Sequence, residues 1–177
     1  MGNWDNRNSS GYYGNKSSFE DKSETKKPIE IKTFYKEGTK IPLPDLFDKN
    51  AADVADSFVG KNKKGFEIGV SSTQLRRIFD EVKRYEQILS QPDAKWDEQL
   101  PYIKMIKSKV AYSVARAAKN KPEEKGVYSN LEKFISSSIN LIRMKKTTMY
   151  SYHSLKRHTD FIMKKHQVVQ NNWRIQK

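Results

Sequence analysis

Apolar residues recur at intervals of three and four through residues 71–177 of this 177-residue chain. The clearest run is Leu75, Ile78, Phe79, Val82, Tyr85 and Leu89. Residues with this spacing lie on one face of an α-helix. No segment of residues 71–177 alternates apolar and polar side chains convincingly, as a half-buried strand would. The pattern predicts an all-α protein, a compact bundle of about four main helices with a short leading helix.

Start and stop signals place the ends of the predicted helices. Ser71 and Gln74 have the spacing of a capping box, so the second helix begins there. Pro101 suits the first turn of the third helix, because its missing N–H needs no partner at that position. The predicted ranges are about 46–60 for the leading helix, then about 71–90, 101–120, 129–146 and 151–171.

A basic loop bounded by glycines follows the leading helix. Gly60 and Gly65 have the spacing of a phosphate-binding loop. Phe66 and Glu67 stand where that motif requires Lys and then Ser or Thr, so the sequence excludes a nucleotide site of this kind.

The first 40 residues show neither helical nor strand periodicity. They are rich in Asn, Ser, Gly and charged side chains, which bury too little apolar area to offset chain entropy. We therefore expect a disordered or extended N-terminal extension over residues 1–45, followed by a helical domain over residues 46–177. Four aromatic residues of the extension either stack on bases or belong to a simple tail: Trp4, Tyr12, Tyr13 and Phe19.

Positive charge is concentrated in the helical part of the chain. Lys and Arg number 34 against 21 acids, a net charge of +13. Residues 1–45 contribute +1 and residues 46–177 contribute +12, while residues 133–177 hold ten basic residues and one acid, Asp160. Charge of one sign on helix faces favours a polyanion such as nucleic acid over a merely solvated surface, which usually mixes signs.

The residues that catalysis and metal binding need are scarce. The absence of cysteine excludes disulfides, thiol nucleophiles and cysteine-ligated metals. His153, His158 and His166 are spaced by 5 and 8 residues, unlike a helical metal pair, and are interpreted as polar helix residues. We expect no enzyme activity and no cofactor. No apolar run reaches membrane-spanning length, so a soluble cytoplasmic protein is expected.

Basic and aromatic side chains interleave on the predicted helices. Lys109, Tyr112, Arg116 and Lys119 are spaced by 3, 4 and 3 residues and share one helix face. The cations would neutralise phosphates while Tyr112 stacks on a base; alternatively, Tyr112 covers the edge of the core and the cations are only solvated. The candidate RNA-binding residues are Arg76, Arg77, Lys83, Arg84, Lys109, Tyr112, Arg116, Lys119, Arg143, Arg157, Lys164 and Lys165.

Three segments within residues 71–170 resemble a known family. They are the run from Ser72 to Ile78, the segment from Ile103 to Arg116 with its Lys-Val-Ala-Tyr-x-x-Ala-Arg pattern, and the run from Ser154 to Ile162. Together they resemble the small subunit of type III-A CRISPR effector (Csm) complexes. Residues 1–65 would extend beyond the usual family length. The family's last helix commonly carries an acidic residue and an apolar patch that ends in Tyr-His-Lys, and the corresponding stretch of this chain, Met163–Val169, departs from that pattern.

The resemblance implies a non-catalytic role in antiviral defence. Family members are stacked in several copies opposite the backbone subunits, with the large polymerase-like subunit at one end. They line the channel that holds CRISPR RNA paired with target RNA, where recognition falls on the RNA backbone because base pairing carries the sequence. The alternatives are a helical protein–protein adaptor with a basic solvated surface, the small subunit of the related type III-B complex and, from the basic surface alone, a small nuclease.

Overall fold

Five α-helices make up most of the residues that the structure describes. The computed structural model describes the backbone of residues 24–142 and 148–175, and the side-chain environments of residues 25–142 and 153–171. The helices are α1 (Lys49–Ser57), α2 (Ser72–Leu89), α3 (Trp96–Asn120), α4 (Lys125–Asn140) and α5 (Thr148–Ile175). This confirms the predicted all-α fold, with α1 as the short leading helix after a 3-10 turn over Pro44–Phe47.

Helix α2 lies between α3 and α5, and α4 closes the bundle by packing against α3 and α1. Oε1 of Glu86, near the end of α2, lies 3.0 Å from Nδ1 of His153 near the start of α5. At the other end, the Ser72 hydroxyl lies 2.6 Å from Oε1 of Gln170. These two contacts fix α2 and α5 as antiparallel neighbours.

The inward faces of α2 and α3 are those that the apolar spacing predicted. All six apolar residues predicted for α2 are buried, and so are all five of α3: Ile103, Ile106, Val110, Val114 and Ala117. Ser71 caps α2 as expected, since its hydroxyl oxygen accepts a 3.2 Å hydrogen bond from the backbone N–H of Gln74.

The large apolar residues of α5 do not all face the core. Phe161 and Val168 are exposed, whereas His158 and His166 are buried within the helical core. The face that reaches the core runs through Leu155, Ile162 and the two histidines, so Phe161 and Val168 fall beside it. Phe161 packs instead on the ring of Phe47, with the ring centroids 5.7 Å apart.

Two predicted helix starts are displaced. Helix α3 begins at Trp96, five residues before Pro101, which lies inside the helix. Trp96 packs against the core and Asp97 and Glu98 favour the first turn, so these contacts extend the helix past the proline. Helix α4 begins at Lys125, earlier than predicted, and ends at Asn140.

A small three-stranded antiparallel sheet accompanies the bundle. Its strands are β1 (Glu24–Thr25), β2 (Val59–Lys61) and β3 (Glu67–Gly69), in the order β1-β2-β3. The β2–β3 pairs are Val59 with Gly69, Gly60 with Ile68 and Lys61 with Glu67. Strands of two or three residues are too short for an alternating pattern, so this sheet could not be predicted from the sequence.

Part of the N-terminal extension contacts the helical core. Ile31 and Phe34 are 5% and 2% exposed and belong to the core, and the backbone N–H of Ile31 donates a 3.2 Å hydrogen bond to the Ser137 hydroxyl of α4. The polar composition of this segment did not indicate these contacts. The four aromatic residues considered for base stacking lie outside the described residues.

Candidate nucleic-acid interface

A groove of about 600 Å³ runs between α2 and α3. Among the predicted site residues it collects Arg77 from α2 and Lys109, Tyr112 and Arg116 from α3. Lys109 and Arg116 are seven residues apart and so lie two turns apart on the side of α3 that faces α2. This α2–α3 groove is the place where the structure brings predicted residues of two helices together.

Tyr112 projects from the rim of the groove. Its side chain is 68% exposed, so it does not cover the edge of the core as the alternative interpretation held. An exposed phenol ring beside two cations can stack on a base or donate a hydrogen bond to a phosphate.

Glu81 is a groove residue that the sequence analysis missed. Its Oε1 atom accepts hydrogen bonds from Nζ of Lys109 at 2.5 Å and from a guanidinium nitrogen of Arg84 at 3.0 Å. Partial burial alone would raise the pKa of Glu81, but the hydrogen bonds and charges of Lys109 and Arg84 lower it below its ordinary value. The Glu81–Arg84 spacing of three residues was a local signal, whereas the contact with Lys109 depends on helix packing.

The cations of the groove differ in how far they are neutralised. Glu81 pairs with Lys109 and Arg84, whereas neither Arg77 nor Arg116 forms an ion pair within residues 24–142 and 148–175. The guanidinium of Arg84 also lies 4.5 Å from the centroid of the Tyr85 ring. Arg77 and Arg116 are therefore the groove cations with charge free for an anionic ligand.

The remaining predicted site residues lie outside the groove. Those that the structure describes are exposed on α2, on the last turns of α3 and on α5, which also packs against α2: Arg76, Lys83, Arg84, Lys119, Arg157, Lys164 and Lys165. The Lys164 ammonium lies 5.8 Å from the centroid of the Phe161 ring. Arg143 lies outside the described residues.

Two of the three histidines are buried in the core. His158 and His166 are helix residues, as expected, but they are 0% and 1% exposed, and burial lowers the pKa of each to about 4. His158 meets the Phe134 ring edge to face, with the centroids 5.5 Å apart. Over the ranges that the structure covers, no group of three His, Asp or Glu side chains is placed to hold a metal ion.

The fold and the groove define a class of protein: a small helical bundle with a cation-lined groove that carries an exposed tyrosine. A comparison with family models then identifies the family, since the model described as Csm2 Type III-A matches residues 45–169. The chain therefore belongs to the Csm2 type III-A family, the small subunits of type III-A CRISPR effector complexes. This confirms the resemblance and favours it over the type III-B alternative.

Other comparisons add no further relative. No curated protein and no solved structure matched the chain significantly. Among the helices of the described ranges, none is long and apolar enough to span a membrane.

Proposed function

We propose that this chain is a non-catalytic subunit that binds the backbone of target RNA paired with CRISPR RNA through the α2–α3 groove. The observation that carries the proposal is the juxtaposition of Arg77, Lys109 and Arg116 with the exposed ring of Tyr112. In this role the chain works in the cytoplasm in antiviral defence, beside the backbone subunits, the large polymerase-like subunit and stacked copies of itself.

The chemistry of the groove suits recognition of a backbone rather than a sequence. Lys and Arg neutralise phosphates and release counterions, which gives affinity without reading bases. In a guide-directed complex, base pairing between the two RNAs carries the sequence information. A groove whose free cations are two arginines supplies the bidentate phosphate contacts that such binding uses.

Arg116→Ala in the full chain tests this function. Affinity for a guide–target RNA duplex is measured by fluorescence anisotropy across a salt series. Because one phosphate contact is lost, we expect weaker binding at every sequence and a slope of log affinity against log salt that is shallower by about 1.

Lys133→Ala is the matched control. Lys133 is exposed on α4, which does not border the groove, and its loss removes the same charge. Equal effects of the two substitutions, or a wild-type affinity that does not change with salt, would refute the proposed groove.

An adaptor role is favoured by a separate feature of α3. Tyr102 and Met105 are 52% and 50% exposed on this helix, although both are large and apolar. If the chain is only a protein–protein adaptor, Met105→Asp abolishes its incorporation into the effector complex, whereas Arg116→Ala leaves both incorporation and RNA retention unchanged.

A further inference from the structure

The loop between β2 and β3 is a closed turn built around Asn62. The backbone N–H of Asn62 donates to the carbonyl of Phe66 at 2.8 Å, and that of Gly65 donates to the carbonyl of Asn62 at 2.9 Å. The side-chain oxygen of Asn62 accepts from the backbone N–H of Lys64 at 3.0 Å and of Phe66 at 2.9 Å. Gly65 adopts a φ of 77°, which L side chains rarely adopt. The hairpin tip, residues 61–67, therefore has a defined conformation.

The hairpin tip exposes an aromatic ring among cations. Phe66 is 66% exposed, although the neighbouring strand residues Val59 and Ile68 are buried. Lys61 and Lys64 are exposed on the same short loop. In the sheet register Lys61 pairs with Glu67 of β3 and with Glu24 of β1. The tip itself carries three lysines and one acid, Glu67, so its net charge is positive.

We infer that the hairpin tip is a second RNA-binding site, which takes a single-stranded segment. Phe66 stacks on an unpaired base, and Lys61 and Lys64 contact the flanking phosphates. A base inside a duplex has both faces covered by its neighbours, so a stacking ring selects unpaired nucleotides. The inference rests on the proposed function, because it assumes that the chain meets RNA.

The fixed shape of the tip supports binding. Four hydrogen bonds centred on Asn62 hold the loop that carries Phe66 and Lys64. A loop that is already ordered loses less conformational entropy when it binds a ligand. An exposed phenylalanine on a rigid tip therefore offers a stacking platform at low entropic cost.

Only a short stretch of chain joins the hairpin tip to the α2–α3 groove. Strand β3 leads through Val70 directly into α2, and Val70 is held by its N–H donating to Phe58 and its carbonyl accepting from Gln170. Chain geometry allows at most roughly 30 Å between the tip and Arg77, about six extended residues followed by six helical ones. One RNA can therefore contact both sites, with its paired part in the groove and an unpaired part at the tip.

Phe66→Leu in the full chain tests the inference. It keeps an apolar side chain and removes the ring, so the hairpin should still fold, which circular dichroism and the melting temperature check. The ligands are a uridine-rich single strand with one 2-aminopurine and a blunt guide–target duplex. We expect at least fivefold weaker binding of the single strand and loss of 2-aminopurine quenching, with an unchanged salt slope and unchanged duplex binding.

Two further variants distinguish the effect of the Phe66 ring from the effect of the Lys64 charge and from the loss of any exposed apolar side chain. Lys64→Ala should make the salt slope for the single strand shallower by about 0.7 while quenching persists. Ile41→Ala removes another apolar side chain, which is 63% exposed and lies outside the hairpin. This variant should change neither the salt slope nor the quenching of 2-aminopurine.

The inference would be overturned if Phe66→Leu binds the single strand and quenches 2-aminopurine as strongly as the wild type does. This holds even if Arg116→Ala still weakens binding of the duplex. A Phe66→Leu variant that binds RNA normally but loses binding to anionic vesicles or to another effector subunit would also overturn it. If the wild-type chain binds neither RNA, the proposed function fails together with the hairpin site.

Discussion

Glu81→Gln should strengthen RNA binding, although it removes two ion pairs. Glu81 is a carboxylate of the groove, and it neutralises Lys109, which lines the groove, and Arg84, which lies outside it. Its replacement by an amide of nearly the same shape removes the negative charge that a phosphate would meet there. It also leaves the Lys109 ammonium available for a phosphate.

The size of the effect follows from the geometry. A phosphate that docks on Lys109 comes within about 6 Å of Glu81, which is two hydrogen-bond lengths through the ammonium. At that distance two like charges repel by roughly 0.7–2.8 kcal/mol for effective dielectric constants between 80 and 20. Salt screening reduces this value, so we expect about fivefold tighter binding near 0.1 M salt. One added phosphate contact should steepen the salt slope by about 0.9.

The cost to the fold is small. The Lys109 and Arg84 side chains are both 53% exposed in these pairs, and exposed ion pairs contribute about 0–1 kcal/mol each. The melting temperature of Glu81→Gln should therefore fall by only a few degrees.

Anisotropy titrations of the guide–target duplex against wild type, Glu81→Gln and Asp80→Asn provide the assay. Asp80 is exposed one residue away and does not line the groove, so Asp80→Asn removes the same charge without freeing Lys109. Binding by Glu81→Gln that is weaker than wild type, or no tighter than that of Asp80→Asn, would refute the assignment of the groove.

Two further predictions concern stability. Ser71→Ala removes the cap of α2 and should lower the free energy of unfolding by about 1 kcal/mol in urea titrations. Thr73 is exposed in the first turn of the same helix, so Thr73→Ala should lower this free energy by less. Equal losses in the two variants would show that the cap contributes nothing. Burial lowers the pKa of His158 and of His166 from 6.5 to about 4. Below pH 6.5 the unfolded chain therefore binds more protons than the folded chain. The free energy of unfolding should keep its full value above pH 6.5 and fall by roughly 2 kcal/mol per histidine by pH 5. His158→Leu should remove about half of that loss, and an equal loss in wild type and variant would contradict the assignment.

Local spacing explains what the sequence could predict about the fold. The stripes of α2 and α3 are regular over several turns, and the Ser71–Gln74 cap is a contact between residues three apart. The same regularity predicted that Lys109 and Arg116 share one face of α3. Helix class and inward face therefore followed from residues that are close in the chain.

Features that depend on distant contacts could not be predicted in this way. Phe34 joins the core from a polar segment, and Lys109 meets Glu81 across 28 residues. His158 reads as a polar residue, yet neighbours from other helices enclose it. In each case the packing of separate elements decides the environment, and no periodic pattern records it.

Ultraviolet cross-linking of the assembled effector, loaded with guide and target RNA and mapped by mass spectrometry, asks directly whether the α2–α3 groove contacts RNA. Tyr112 is 68% exposed at the rim of the groove, so we expect RNA cross-links in the peptide that spans residues 109–116. That cross-link should weaken in Arg116→Ala and persist in Lys133→Ala. RNA cross-links confined to peptides outside α2 and α3, or none from this subunit, would show that the groove does not bind RNA.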